Sequence, residues 1–208
     1  MKKISNIAIY LSFLCFQFNS EILAQENQFS RIEIDSIPNE LNYSGVPIES
    51  IKWYDEDGLH YLIISKREVG DFFTPSWKST IYASMYLKVR DSYKLIWRIK
   101  DFSLNPYTKV QYFNNSIKLN DIDGDGALET SFIYGIVPDG LDPIILKLML
   151  HTKGEKLAIR GILPQNKEDA DRYSRDVDII FSDFPEKFKI YATDRWDKFV
   201  DSYKLEYW

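Results

Sequence analysis

The feature that most constrains the fold is a succession of β-patterned runs, each closed by a short turn signal, that continues from Ile48 to Ile159. Ile48 to Tyr54 and His60 to Ser65 flank Asp55-Glu56-Asp57-Gly58, and Thr80 to Val89 and Tyr93 to Phe102 flank Arg90-Asp91-Ser92. Both pairs read as hairpins, because branched and aromatic side chains suit a pleated, half-buried surface and Asp, Gly and Ser suit tight turns. The two-residue period sets Leu95, Trp97 and Ile99 on one face. Val110 to Phe113 and Ile117 to Leu119 predict a third hairpin across Asn114-Asn115, two residues that tolerate the left-handed turn conformation. Phe132 to Val137 is the next β-prone run. Beyond Pro138-Asp139-Gly140-Leu141-Asp142-Pro143, Ile144 to His151 turns at Lys153-Gly154 and returns as Lys156 to Ile159. Short turns between successive runs argue for antiparallel pairing. The expected fold is mainly β, a β-rich α+β chain with an antiparallel meander or sandwich of about eight or more strands.

The ends of this region differ in character. Gln25 to Ser44 is weakly patterned, with Ile32 and Ile34 placed to begin a strand that Pro38 ends. Pro164 to Asp178 is polar and reads as a loop with a helical turn. Ser182-Asp183-Phe184-Pro185-Glu186 sets cap, proline and acid in the order that opens a helix. Phe184, Phe188, Ala192, Trp196 and Phe199 then fall near one face, so an amphipathic helix over about residues 183–201 is expected to cover one side or end of the sheet. Between the hairpins, Arg67 to Lys78 carries Phe72, Phe73 and Trp77 on a loop. These aromatics are a possible ligand surface, or a lid that packs onto the sheet; the lid is favoured, because large aromatics are usually buried to a great extent.

One stretch carries chemistry by its spacing alone. Asp121-Ile122-Asp123-Gly124-Asp125-Gly126-Ala127-Leu128-Glu129 places carboxylates two residues apart, followed by a glycine that permits the sharp turn needed to converge them. Such a cluster suits a hard divalent cation, with calcium expected: side-chain oxygens from Asp121, Asp123 and Asp125, the Ala127 carbonyl, and Glu129 directly or through water. The twelfth loop position, where a helix-loop-helix calcium site has its bidentate Glu, is Phe132, and the flanks alternate as strands. A strand-loop-strand site of weak affinity is therefore expected, with Kd on the order of 10⁻⁴ to 10⁻³ M. The alternative is an acid-rich turn that only joins two strands. The Asp55 to Gly58 turn resembles a reduced copy with too few acids for a cage, and reads as a solvated turn.

The N-terminus predicts the compartment. Lys2 and Lys3, the apolar run Ile4 to Phe18, and Ala24 before Gln25 have the order of a cleaved secretory signal, residues 1–24. The run is short and interrupted for a permanent span, so no stable anchor is expected after cleavage, and the protein is expected in the periplasm or at the cell surface. The single cysteine, Cys15, lies inside this segment. Residues 25–208, expected to be one domain, must then stand without disulfides. A formal net charge of −5 without a Lys/Arg run argues against nucleic acid as a partner.

Other constellations give no reaction. His60 and His151 are the only histidines and sit on separate strands; there is no phosphate-binding glycine loop and no nucleophile elbow. Asp176 and Asp178 pair acids near the end of the polar stretch without a defined partner. Ile51 to Ser65 around Trp53-Tyr54-Asp55, Tyr86 to Phe102 with Trp97, Asp121 to Glu129, Ile145 to Gly161 with Ala158-Ile159-Arg160-Gly161, and Phe184 to Trp208 together resemble a family of small exported bacterial proteins catalogued under surface polysaccharide biosynthesis. The acidic loop is also similar to the calcium loops of integrin-type β-propeller repeats, although one loop is too few for a closed propeller. The resemblance implies a role in envelope or surface-glycan biology, with glycan or another envelope protein as partner, and transfers no catalytic residue. The expected function is a non-catalytic, calcium-binding accessory protein. The alternatives are a carboxylate-dependent enzyme acting on surface glycan and a structural interaction module without metal.

Overall fold

The computed structural model describes residues 29–177 and 184–208, so the secretory-signal reading of 1–24, Asp178 and the Ser182-Asp183 cap lie outside the described residues. Among the described residues, eleven strands form two antiparallel sheets. The first is a meander in chain order: β1 (Ser30–Arg31), β2 (Val46–Asp55), β3 (Gly58–Val69), β4 (Lys78–Val89) and β5 (Ser92–Ser103). The second runs β11 (Ser174–Val177), β10 (Glu155–Leu163), β9 (Ile144–Thr152), β8 (Glu129–Pro138) and β6 (Thr108–Tyr112), with β7 (Lys118–Asn120) also paired to β8. One helix, α1 (Glu186–Tyr207), closes the chain. The mainly β fold with a C-terminal helix follows the alternating sequence, and no described helix is long and apolar enough to cross a membrane.

The alternation decides how the layers stack. Ile51 and Trp53 of β2, Leu62 and Ile64 of β3, and Ile81, Ala83 and Met85 of β4 meet Val110, Leu119, Phe132, Tyr134 and Met149 of the second sheet in one buried cluster. The opposite face of the second sheet sends Ile133, Leu146, Leu148, Leu150, Leu157 and Ile159 against Phe188, Ala192, Trp196 and Val200 of α1. The middle of the second sheet is thus covered on both sides, which is why Ile144 to Leu150 reads as an almost unbroken apolar run. Outside the first sheet, Ile37 and Leu41 cover Tyr61, Ile63 and Tyr86. Trp196 is fully buried, and its indole N–H donates to the Tyr173 hydroxyl at 2.9 Å. Gly161 leaves room for it: a Cβ there would lie 2.1 Å from the Ser174 carbonyl oxygen and 2.9 Å from Trp196 Cζ2.

Several sequence expectations are corrected. Val110 to Phe113 and Ile117 to Leu119 do not pair with each other. Both lie along β8, β6 on residues 134–138 and β7 on 129–131. The excursion between them is closed by Ser116, whose hydroxyl donates to the Ile133 carbonyl and accepts from the Ile133 N–H. Leu95 does not share a face with Trp97. A bulge at Ile96 shifts the β4–β5 register between Met85 and Tyr86, and the extra residue turns Leu95 outward, 42% exposed. Ile34 belongs to a 3₁₀ turn, Ile34–Ser36, and not to a strand. The polar stretch after Pro164 adds β11 to the edge of β10. The helix starts at Glu186 and runs through Tyr207, with Val200 buried and Phe199 only partly so.

Candidate metal centre

The acidic loop connects β7 to β8, the strand on which β6, β7 and β9 all pair, so its two ends are brought side by side by the pairing of Asn120 with Glu129. Within it the carboxylate of Asp121 is fixed by three backbone N–H donors: Gly124 at 2.7 Å and Asp125 at 3.0 Å to Oδ1, and Gly126 at 3.0 Å to Oδ2. Gly126 takes φ +85°, and a Cβ there would lie 2.4 Å from the Glu56 side chain. Glu129 is 2% exposed, its two oxygens accepting from the Ile122 N–H at 2.8 Å and the Thr152 hydroxyl at 3.0 Å. Burial raises its pKa; those two donors oppose the shift, and the charges of Asp123 and Asp125 add to it. Asp121, Asp123 and Glu129 each bring a carboxylate oxygen within 4.8 Å of the others, an arrangement that can hold a metal ion.

Asp125 stands apart from that group. Its carboxylate takes the Ala127 N–H at 3.0 Å and pairs with Lys153 Nζ, which also lies 3.5 Å from Asp123 Oδ2. The lysine hydrogen bond is the first cause of the lowered pKa of Asp125. Lys187, in the first turn of α1, donates to the Asp123 carbonyl at 2.9 Å. The loop therefore meets two cations from the β9–β10 turn and the helix, neither of which the local sequence announces. Asp123 Oδ1 nevertheless stays buried without a hydrogen-bond partner. A buried carboxylate oxygen with no donor is the kind of acceptor a bound cation satisfies.

The Asp55 to Gly58 turn, expected to be solvated, is docked against this loop. The Leu128 N–H donates to Asp55 Oδ2 at 3.3 Å, and the Glu56 N–H to the Gly126 carbonyl at 3.4 Å. The Asp55 side chain is only 3% exposed; it also takes the Trp53 indole N–H at 3.0 Å and lies 2.9 Å from His60 Nε2. Asp55, Asp57 and His60 make a second group able to hold a metal ion. The hairpin returns His60 to Asp55, which spacing along the chain concealed. Beside this group a cleft of about 230 Å³ opens between the sheets, lined by His60, Trp97, Thr130, His151 and residues of both turns. His151 is stacked 3.7 Å from Trp97 and 4% exposed, and burial lowers its pKa to about 3, keeping the imidazole neutral.

The aromatic loop is divided by the fold. Trp77 is buried and donates its indole N–H to the Thr108 carbonyl at 2.8 Å, Phe72 packs against it at 4.9 Å, and Phe73 is 52% exposed beside Tyr107. Phe73 and Tyr107 offer an open aromatic surface there. Asp176 lies exposed on β11, far in the chain order of the sheet from β7 and β8. No family model matches the chain, and no curated protein or solved structure does so either.

Proposed function

We propose that this protein is an exported, non-catalytic accessory component of the cell envelope that uses calcium to lock the loop from Asp121 to Glu129 onto the end of its β-sandwich. The observation that carries the reading is the convergence of Asp121, Asp123 and Glu129 oxygens within 4.8 Å, with Asp123 Oδ1 buried and partnerless. An all-oxygen set of this kind favours a hard cation over a soft one. Asp121, Asp123 and Glu129 would hold the ion; Asp125 would join them by leaving Lys153, and Ala127 by its carbonyl. The ion would cancel the repulsion among four acids and fix the register of β7 on β8. The order of the N-terminal segment supports export, and the resemblance to surface-polysaccharide proteins supports an envelope role. Exposed Phe73 and Tyr107 give such a protein a place to stack on a glycan or an envelope partner.

Thermal melting in calcium against chelator tests the reading. At a calcium concentration tenfold above Kd the fold gains about 1.4 kcal/mol, or roughly 3 to 6 °C in Tm for a domain of this size. Asp123→Asn removes the gain. Equal melting curves with calcium and chelator would refute the calcium site.

A further inference from the structure

A second cleft, of about 490 Å³, lies between α1 and the segment that joins β6 to β7. Its lining includes Asn114, Asn115, Lys118, Asn120, Arg195 and Lys198. The protein as a whole is acidic, at −5, yet this cleft carries three cations against one acid, Asp194, which is already paired with Lys198 at 2.8 Å. Arg195 is held in place by the second sheet, donating to the Ser131 hydroxyl and to the Ser116 carbonyl at 2.6 Å. Lys118 lies directly opposite Ser131 in the β7–β8 register, which brings it to the same spot. Among the described residues Lys118 has no acid or hydrogen-bond partner, whereas its neighbours Arg195 and Arg31 are both engaged. Its pKa is lowered, first by burial and then by the charges of Arg195 and Arg31.

A half-buried lysine pressed against arginines is destabilising unless something negative joins it. Among the described residues none does so, and the lining adds amides and hydroxyls that suit a hydroxylated molecule: Asn114, Asn115, Asn120, Tyr191 and Ser202. The volume is in the range of small-ligand sites. We propose that this cleft binds an oxyanion, carboxylate or phosphate, carried by a small hydroxyl-rich molecule of the acidic-sugar class, with Lys118 as the cation that receives it. No residue of the loop from Asp121 to Glu129 lines this cleft, so a sugar titration in chelator tests it separately from the calcium reading.

Calorimetric titration of the full chain with glucuronate, glucose 6-phosphate and glucose tests it. The expected result is saturable binding of at least one of the charged sugars, at least tenfold tighter than glucose, and weakened by salt as a charge contact must be. Lys118→Met should cut that affinity at least tenfold while leaving the melting temperature unchanged or raised, since it removes a repelled charge. Absence of binding by both charged sugars, equal binding of glucose, or unchanged binding in Lys118→Met would each overturn the proposal.

Discussion

His151 gives the sharpest test of how the two sheets are joined. Its ring lies flat on Trp97 at 3.7 Å with Phe132 to the side of both, 6.3 Å away, and its Nδ1 is buried without a partner. Burial, with a smaller push from Lys156, lowers its pKa from 6.5 to about 3. The folded chain therefore refuses a proton that the unfolded chain accepts. Stability from this residue is complete above pH 6.5 and falls as the pH drops toward 3. Each pH unit in that window costs about 1.4 kcal/mol, so acidification from pH 7 to pH 5 costs about 2 kcal/mol. For a domain of this size that is roughly 4 to 8 °C in Tm. His151→Phe keeps a flat ring against Trp97 and removes the titration. The assay is chemical or thermal denaturation of both proteins at the two pH values, in chelator, so that metal binding at Glu129 does not contribute. The variant should lose about 2 kcal/mol less than the native chain over this interval. Taking the difference between the two proteins cancels the carboxylates, including Glu129, whose raised pKa acts in the opposite direction. Equal losses in the two proteins would show that His151 titrates freely and that the inter-sheet packing described above is wrong.

Two further predictions concern the packing under the helix and the charge at the loop. Gly161→Ala forces a Cβ toward the Ser174 carbonyl, an atom of the backbone that cannot rotate away, and should destabilise the fold by roughly 1–3 kcal/mol in urea denaturation; an unchanged midpoint would contradict the β10–β11 contact. Lys153→Met removes the cation that pairs with Asp125 and lies 3.5 Å from Asp123 Oδ2, so calcium should bind several-fold more tightly by calorimetry, most clearly at low salt; unchanged or weaker affinity would mean that the lysine and the ion do not compete.

The fold was legible in the sequence to the extent that local periodicity and turn chemistry determine it. The β2–β3, β4–β5 and β9–β10 hairpins each join runs that meet through a short turn, and each is where the pattern puts it. The apparent hairpin at Asn114-Asn115 fails because two short runs can each find a better partner in one long strand, and nothing local says that β8 will serve both. The face of Leu95 was lost for a related reason: a single bulged residue inverts every face beyond it, while the two-residue period is read on the assumption that there is none. β11 was hidden because a charged edge strand, Ser-Arg-Asp-Val, has no apolar face to betray it.

The site shows the same division with a different outcome. Asp121, Asp123 and Glu129 were legible because their ligand atoms are close in the chain, and convergence needed only a turn. What surrounds them was not: Lys153 arrives from the β9–β10 turn, Lys187 from α1, and Asp55 from the far sheet. These partners explain why a motif of four acids can close onto a sandwich at all, since the loop is bounded by two ammonium groups and roofed by the β2–β3 turn. They also bear on the order of events. The Leu128 N–H on Asp55 and the Glu56 N–H on the Gly126 carbonyl join the first sheet to the loop of the second. An ion that orders the loop therefore acts on the contact between the sheets as well as on one connection. Stabilisation by the ion should then appear as a single cooperative shift of the whole melting transition, because the residues it orders are shared by both layers of the core.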